Sequence, residues 1–440
     1  MKITEKTITE SIDGGYKDFA MYVLESRAIP SVIDGLKPVT RKLLYAMITD
    51  YASKRVKVAD LGGISKFNFH HGETSAIDAA IGMAQKWNNT APLFEQHGNF
   101  GSRLVPAAAG PRYIHASLSD NFKKFFADTE VAPSAFDPEN PEPAFYLPII
   151  PWVLINGIGG IAVGFKTEIL PRALADVVNA TKAYLKAPDR FLEANELILP
   201  TFPMFKGKTT VKGVNQWVTQ GIVKFVGKNV YEISELPVGY DRESYVILLN
   251  ELIDKDLIKD YDDECSKLGF GFRVKVTGAQ KEVIDKDPIK FFKLEKTHTE
   301  ILTTMGTDGK LKIFHSVAEL IGYFCDYRLT KFGDKIEHDR AKLRHEMLVM
   351  TDKQKFIQLV LDGKVDFKTT TKSGLLEFIE VNVTPKEHGK RFINIPLYEI
   401  TKDAWEELFK LIESSKAKLV ELESLTPEKL FASRLAALKI

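Results

Sequence analysis

The sequence predicts a mixed α and β protein built from several domains. Three observations carry that expectation. From about 17 to 130, apolar residues recur at three- and four-residue spacing between short glycine-bearing turns. Between about 146 and 312, strand-like and helical patterns mix as in an α+β domain. From about 315 onward, two long, charged, amphipathic patterns flank a smaller piece at about 365–400. An antiparallel coiled coil with a globular tip would read that way. The 440 residues, 44% of them hydrophobic, supply enough apolar material for several cores.

Taken in order, KDFAMYVLES and TRKLLYAMITDYA read as helices and VADLGGISKF as a shorter one. After the break NFHHGE, TSAIDAAIGMAQKW carries Ile77, Ala80, Ile81 and Ala84 on one stripe. Helix, tight turn, helix is the shape that places a second helix in a DNA major groove, and an ordinary helical hairpin reads the same way. The proline-dense DPENPEPAFYLPIIP cannot be helical and marks a boundary. The expected domains are therefore 1–145, 146–314 and 315–440. WVLINGIGGIAVGF reads as strand, glycine turn and strand. KFVGKNVYEISEL, FGFRVKVTG and KLKIFH read as further strands, and RESYVILLNELIDKD as a helix.

Composition excludes several classes. Two cysteines, Cys265 and Cys325, make neither a disulfide framework nor a four-cysteine zinc site. The polar N-terminus is not a signal peptide, and no apolar run is long enough to span a membrane. A soluble, cytoplasmic protein is expected. The net charge of +1 says little, but residues 27–115 hold 11 Lys and Arg against 6 Asp and Glu, with four of the nine histidines. That excess permits a phosphate-facing surface. GGIAVGFKT resembles a phosphate loop but fails on register, because Phe165 separates the second glycine from Lys166. YDDE (262–264 with Tyr261) reads as a solvated turn. His70 and His71 are adjacent, a poor arrangement for two ligands of one ion. No metal site is expected in this chain.

The stretch GPRYIH follows PAAA and sets Arg112 beside Tyr113. By itself the pair reads as an ordinary surface feature. It does not occur alone, however. ESRAIPSVIDGLKPVTRKLLYAM, FHHGETSAIDAA, HGNFGS, AAAGPRYIHASLS, FYLPIIPWVLINGIGGIAVGF and ILPRAL follow one another in that order. Together they closely resemble the DNA breakage–reunion subunit of type IIA DNA topoisomerases, the group of gyrase A and the topoisomerase IV cleavage subunit. Bacteriophage-encoded members are the most similar in form. The motifs cover roughly 20–175, with a weaker architectural likeness to the C-terminus.

The resemblance implies a helix-turn-helix domain of winged-helix, CAP-like type, an α+β tower, and a coiled coil ending in a small C-gate. It implies an enzyme, the cleavage and religation subunit of an ATP-dependent type II topoisomerase. Tyr113 would be the nucleophile, attacking a DNA phosphodiester to leave a 5′-phosphotyrosine link and a free 3′-hydroxyl. A free tyrosine titrates near pH 10, so forming phenolate at neutral pH costs about 4 kcal/mol. Neighbouring cations lower that cost and stabilise charge on the phosphoryl oxygens. Arg112, Arg27 and His71 are the implied catalytic companions. Lys37, Arg41 and Lys42 would add to the phosphate-binding surface, and Thr74 and Asp78 would lie at the start of the recognition-type helix. Ile161 matches an apolar wedge pushed between base pairs, although alone it reads as a core strand residue.

Two departures touch the site. Thr40, Arg41 and Lys42 follow LKPV where gyrase A carries His and Arg. The loop before the nucleophile is one residue longer and stiffened by Pro111. No C-terminal β-pinwheel or QRRGGKG-like box is present, so relaxation and decatenation are expected over supercoiling. The ATP-binding and toprim signatures are also missing from the sequence. Mg²⁺ and ATP are therefore expected on a partner ATPase/toprim subunit, and cutting both strands of double-stranded DNA implies a homodimer. Two other readings compete: a non-cutting architectural DNA-binding homodimer, and a tyrosine recombinase. The recombinase would need its tyrosine near the C-terminus, behind an Arg…His…Arg set.

Overall fold

The computed structural model describes residues 7–66, 71–126, 128–365, 370–383 and 389–438. The chain divides into two compact units, Met1–Arg328 with Arg434–Ile440, and Leu329–Ser433. The expected boundary at 145/146 lies inside the first unit. That at 314/315 falls just before the long helix Val317–Leu361.

The first unit opens with helical turns that run from Ile8 to Ala28 and are interrupted at Gly14 (φ −96°, ψ −123°). Thr7 and Glu10 cap the start reciprocally, satisfying N–H groups the first turn leaves open. Pro38–Thr49 is the next helix. Pro38 suits its first turn, where a missing N–H loses no bond. Leu43, Leu44, Ala46 and Met47 face inward from it. The VADLGGISK stretch is a 3₁₀ segment, Val58–Lys66, packed against the helix Glu73–Ala84. In that helix Ala80 and Ala84 of the expected stripe are buried and Ile77 and Ile81 half-buried. Strands β1 (Val56–Lys57), β2 (Phe94–His97) and β3 (His115–Leu118) form an antiparallel sheet with β3 in the centre.

The WVLIN stretch differs from expectation. Val153–Asn156 is a short buried helix, not a strand. Gly157 (φ +65°) turns the chain out of it, and the hairpin follows as β4 (Ile158–Ile161) and β5 (Lys166–Ile169).

The remaining strands are β6 (Lys208–Gly213), β7 (Gln216–Gln220), β8 (Ile222–Gly227), β9 (Val230–Glu235), β10 (Asp260–Asp263), β11 (Phe272–Lys275), β12 (Glu295–Thr299), β13 (Leu302–Met305) and β14 (Leu311–Phe314). They make sheets ordered β10-β11-β9-β8 and β12-β7-β6, and the pair β13-β14. KFVGKNVYEISEL is thus two strands, turned at Lys228 and Asn229, both at positive φ. The acidic YDDE run lies largely in β10 rather than in a free turn. Asp262 meets Lys275 at 2.8 Å and Asp263 meets Arg242 at 2.7 Å, which removes the repulsion a paired acidic strand would suffer. The helix Arg242–Asp254 closes this core with Tyr245 and Leu249 against Tyr231, Ile233 and Phe272. A fully buried pair, Arg172 and Glu300, is bidentate at 2.8 and 2.7 Å, and Trp217 donates to the same carboxylate at 3.3 Å.

In the second unit the long helix runs beside Lys402–Ser424. Arg340 donates to the carbonyl of Leu422 at 2.8 Å and Lys353 meets Glu399 at 2.5 Å, so the contacts proceed in opposite chain directions. Phe356, Ile379 and Phe392 form a small core that includes the helix Lys372–Asn382. No described helix is long and apolar enough to cross a membrane.

Candidate nucleic-acid interface

Tyr113 stands on a turn whose two ends are fastened to buried structure. The Tyr113 N–H donates to the carbonyl of Gly110 at 2.9 Å, closing the turn. Ala59 N–H reaches the carbonyl of Pro111 at 3.2 Å, and Val58 N–H reaches that of Ile114 at 3.0 Å. Ile114, which leads into β3, turns inward at 1% exposure, and Tyr113 at the end of the turn points the other way. Tyr113 is accordingly 74% exposed. The tyrosine ring lies beside Gly110, whose Cβ position is 3.4 Å from Cδ2, an ordinary packing contact. Arg112 is exposed on the same turn. A phenol and a guanidinium are therefore offered side by side on a backbone that cannot easily retreat.

A second cluster surrounds a cavity of about 1010 Å³ in the first unit. Arg27, Lys37, Thr40 and Ile161 line it. Arg27 sits in the last helical turn before Ala28. Lys37 Nζ donates to the carbonyl of Gly159 at 2.7 Å. Burial, and then the nearby Arg27 charge, hold the Lys37 ammonium below the usual lysine range. Ile161 is 80% exposed near the tip of the β4–β5 hairpin, closed by Ala162 N–H on the carbonyl of Phe165 at 2.9 Å. It is not a core strand residue. Thr74 and Asp78, one turn apart, are exposed on the outward face of Glu73–Ala84.

Arg41 and Lys42 require a correction. Both are buried, at 7% and 4% exposure. Arg41 grips Asp34 with two donors and also caps the carbonyl of Leu36 at 3.0 Å. Lys42 Nζ meets Glu142 at 2.7 Å and Asn140 at 2.8 Å. Their charges are spent on internal carboxylates, so they do not belong to a phosphate-facing surface. His71 is half-buried and lines a different cavity, of about 540 Å³, with Arg41 and Lys42. His70 lies outside the described residues. Tyr113 and Arg112 line neither cavity.

The sequence reading missed Lys296 and His298, which share the large cavity with Arg27 and Lys37. They stand two apart on β12, so the alternation in EKTHT could have shown that they share a face. His298 contacts Thr219 Oγ1 at 2.9 Å, and burial followed by the Lys296 charge lowers its pKa. Among the described residues no group of three or more His, Cys, Asp or Glu could hold a metal ion.

The family model for the A subunit of DNA gyrase/topoisomerase IV matches residues 27–436. The chain belongs to that family. Breakage and reunion of DNA by a type II topoisomerase is the activity its relatives define. The DNA topoisomerase medium subunit of Enterobacteria phage T4 is 36% identical over 436 residues, covering 96% of each chain. The mitochondrial DNA topoisomerase 2 of Dictyostelium discoideum is 29% identical over 94% of this chain, which spans 33% of that longer protein. Among solved structures, the Plasmodium falciparum topoisomerase II DNA-binding, cleavage and re-ligation domain superposes with a TM-score of 0.87 at 24% identity, over 96% of this chain and 62% of its own. Within the gyrase/topoisomerase IV family, the chain shares its mixed α and β architecture with the cleavage domain of a topoisomerase II.

Proposed function

We propose that Tyr113 is the nucleophile of this topoisomerase and that Arg112 stabilises the charge developing on the attacked phosphate. The phenolic oxygen forms a bond to the 5′ phosphorus as the bond to the 3′ oxygen breaks. The phenol loses a proton and the departing 3′ oxygen gains one. One phosphoester replaces another, so the reverse reaction reseals the strand without a nucleotide. The observation that carries this reading is the fastened turn, which presents an exposed tyrosine and an exposed arginine together. Arg27 and Lys37 supply phosphate contacts from the cavity wall, and Ile161 enters the base stack from its hairpin tip.

Mg²⁺ and ATP are assigned to a partner ATPase/toprim subunit, since the sequence carries the signatures of neither site. Two tyrosines for two strands call for a homodimer. The exposed Val381 and Tyr398, each 77% accessible, support a self-contact in the second unit, which would serve as coiled coil and C-gate, with 146–314 as the tower. Relaxation and decatenation are the outcomes proposed.

The test is a denaturant quench of the enzyme assembled with its partner, Mg²⁺ and duplex DNA. The wild-type chain should carry covalently bound DNA and Tyr113→Phe should not. Attachment retained in Tyr113→Phe would remove the assignment.

A further inference from the structure

The Ile161 hairpin is seated on the phosphate-facing wall by a joint of three parts. Lys37 Nζ donates to the Gly159 carbonyl at the hairpin's stem, 2.7 Å away. The next residue, Gly160, presses its backbone against the carbonyl of Ala28, so closely that a Cβ there would overlap that oxygen. The same Cβ would approach Lys37 Nζ to 3.2 Å. Ala28 directly follows Arg27, and Arg27, Lys37, Gly159 and Ile161 all line one cavity. The hairpin is also held by the pairing of β4 with β5, by Glu168 with Ile301 on the side that leads to β13, and by Ala162 packed against Leu24, Ala28 and Ile29.

We infer that Lys37 is a positioning residue for the wedge: by holding Gly159 it fixes the angle at which Ile161 meets the DNA, and so sets the bend of the duplex. An ammonium has three donors, and Gly159 occupies one, leaving the others for phosphate oxygens. A phosphate drawn to Arg27 and Lys37 is thereby tied mechanically to the hairpin that unstacks the neighbouring bases. Partial burial, and then Arg27, already disfavour the charge on Lys37. A lysine serving only as a phosphate anchor would need no bond to Gly159.

This inference rests on the proposed role of Ile161, and the experiment separates the two. Energy transfer between dyes at the ends of a duplex reports the bend in the assembled topoisomerase at saturating protein, and binding across a salt series reports phosphate contacts. Lys37→Met should lose bend at saturation to the level of Ile161→Ala, and the double variant should lose no more than either single one. A bend intact at saturation, with the salt slope reduced by about 0.9, would make Lys37 a phosphate anchor alone and overturn the inference. If Ile161→Ala itself bends DNA fully, the wedge reading fails first. Should Lys37→Met not fold, Gly160→Ala decides, because it removes no cation and displaces the stem from Ala28. Lost bend with an unchanged salt slope supports the joint, and a full bend refutes it.

Discussion

Arg41 holds Asp34 through two parallel bonds, Nε to Oδ2 at 2.9 Å and Nη2 to Oδ1 at 3.1 Å, with the aspartate wholly buried. Asp34 also accepts from the backbone N–H groups of Leu36 and Tyr146, both at 2.9 Å. The carboxylate thus stitches its loop, after the N-terminal helical segment, to the chain at residue 146, and the guanidinium neutralises it there. Arg41→Ala would leave a buried carboxylate without its cation, at a cost of about 3–5 kcal/mol. A urea unfolding midpoint measures this. The salt dependence of DNA binding by the folded fraction should be unchanged, and a reduced slope would restore Arg41 to the phosphate-facing surface.

Arg112 is exposed beside Tyr113, and the proposed mechanism sets it to work on the reacting phosphate rather than on the fold. Arg112→Ala should lower the cleavage rate by about 100- to 1000-fold, the scale of one lost transition-state donor. DNA affinity should change only a few-fold. Equal losses in rate and affinity would mark it as a simple anchor.

An isoleucine 80% exposed at a hairpin tip contributes almost nothing to folding. Ile161→Ala should therefore keep its thermal midpoint and reduce DNA bending. An altered midpoint with a normal bend would contradict its assignment as the wedge.

His298 sits in the wall of the large cavity, where burial and then Lys296 oppose its charge. Its folded pKa is below the ordinary value of 6.5, so as pH falls below about 6.5 the unfolded chain binds the proton more readily than the native one. This histidine's contribution to stability is complete above that pH and is lost as pH falls toward the lowered value. His298→Gln should flatten the decline in a series of unfolding midpoints between about pH 5 and 8. An unchanged decline would place its origin elsewhere.

Much of the fold is legible from the residues, and the failures share a cause. The helices Pro38–Thr49, Glu73–Ala84 and Arg242–Asp254 announce themselves by local apolar spacing. The Arg112–Tyr113 turn is marked by its glycine, proline and small neighbours. WVLIN misleads because a short apolar run looks alike as strand or buried helix, and only Gly157 and the contacts beyond it decide. The YDDE run becomes a strand because Lys275 and Arg242, distant in sequence, neutralise it. Arg41 and Lys42 look like any basic pair in a basic segment. What turns them inward is Asp34, seven residues back, and Glu142, a hundred residues on. Charge alone does not reveal its partner, and a residue's neighbours in space set its role.

The most direct measurement of the central claim is the identity of the residue that carries DNA. After a denaturant quench and digestion of both protein and DNA, mass spectrometry of the modified peptide should find a 5′-linked nucleotide on Tyr113. The same adduct on any other of the 14 tyrosines, with Tyr113 unmodified, would contradict the account.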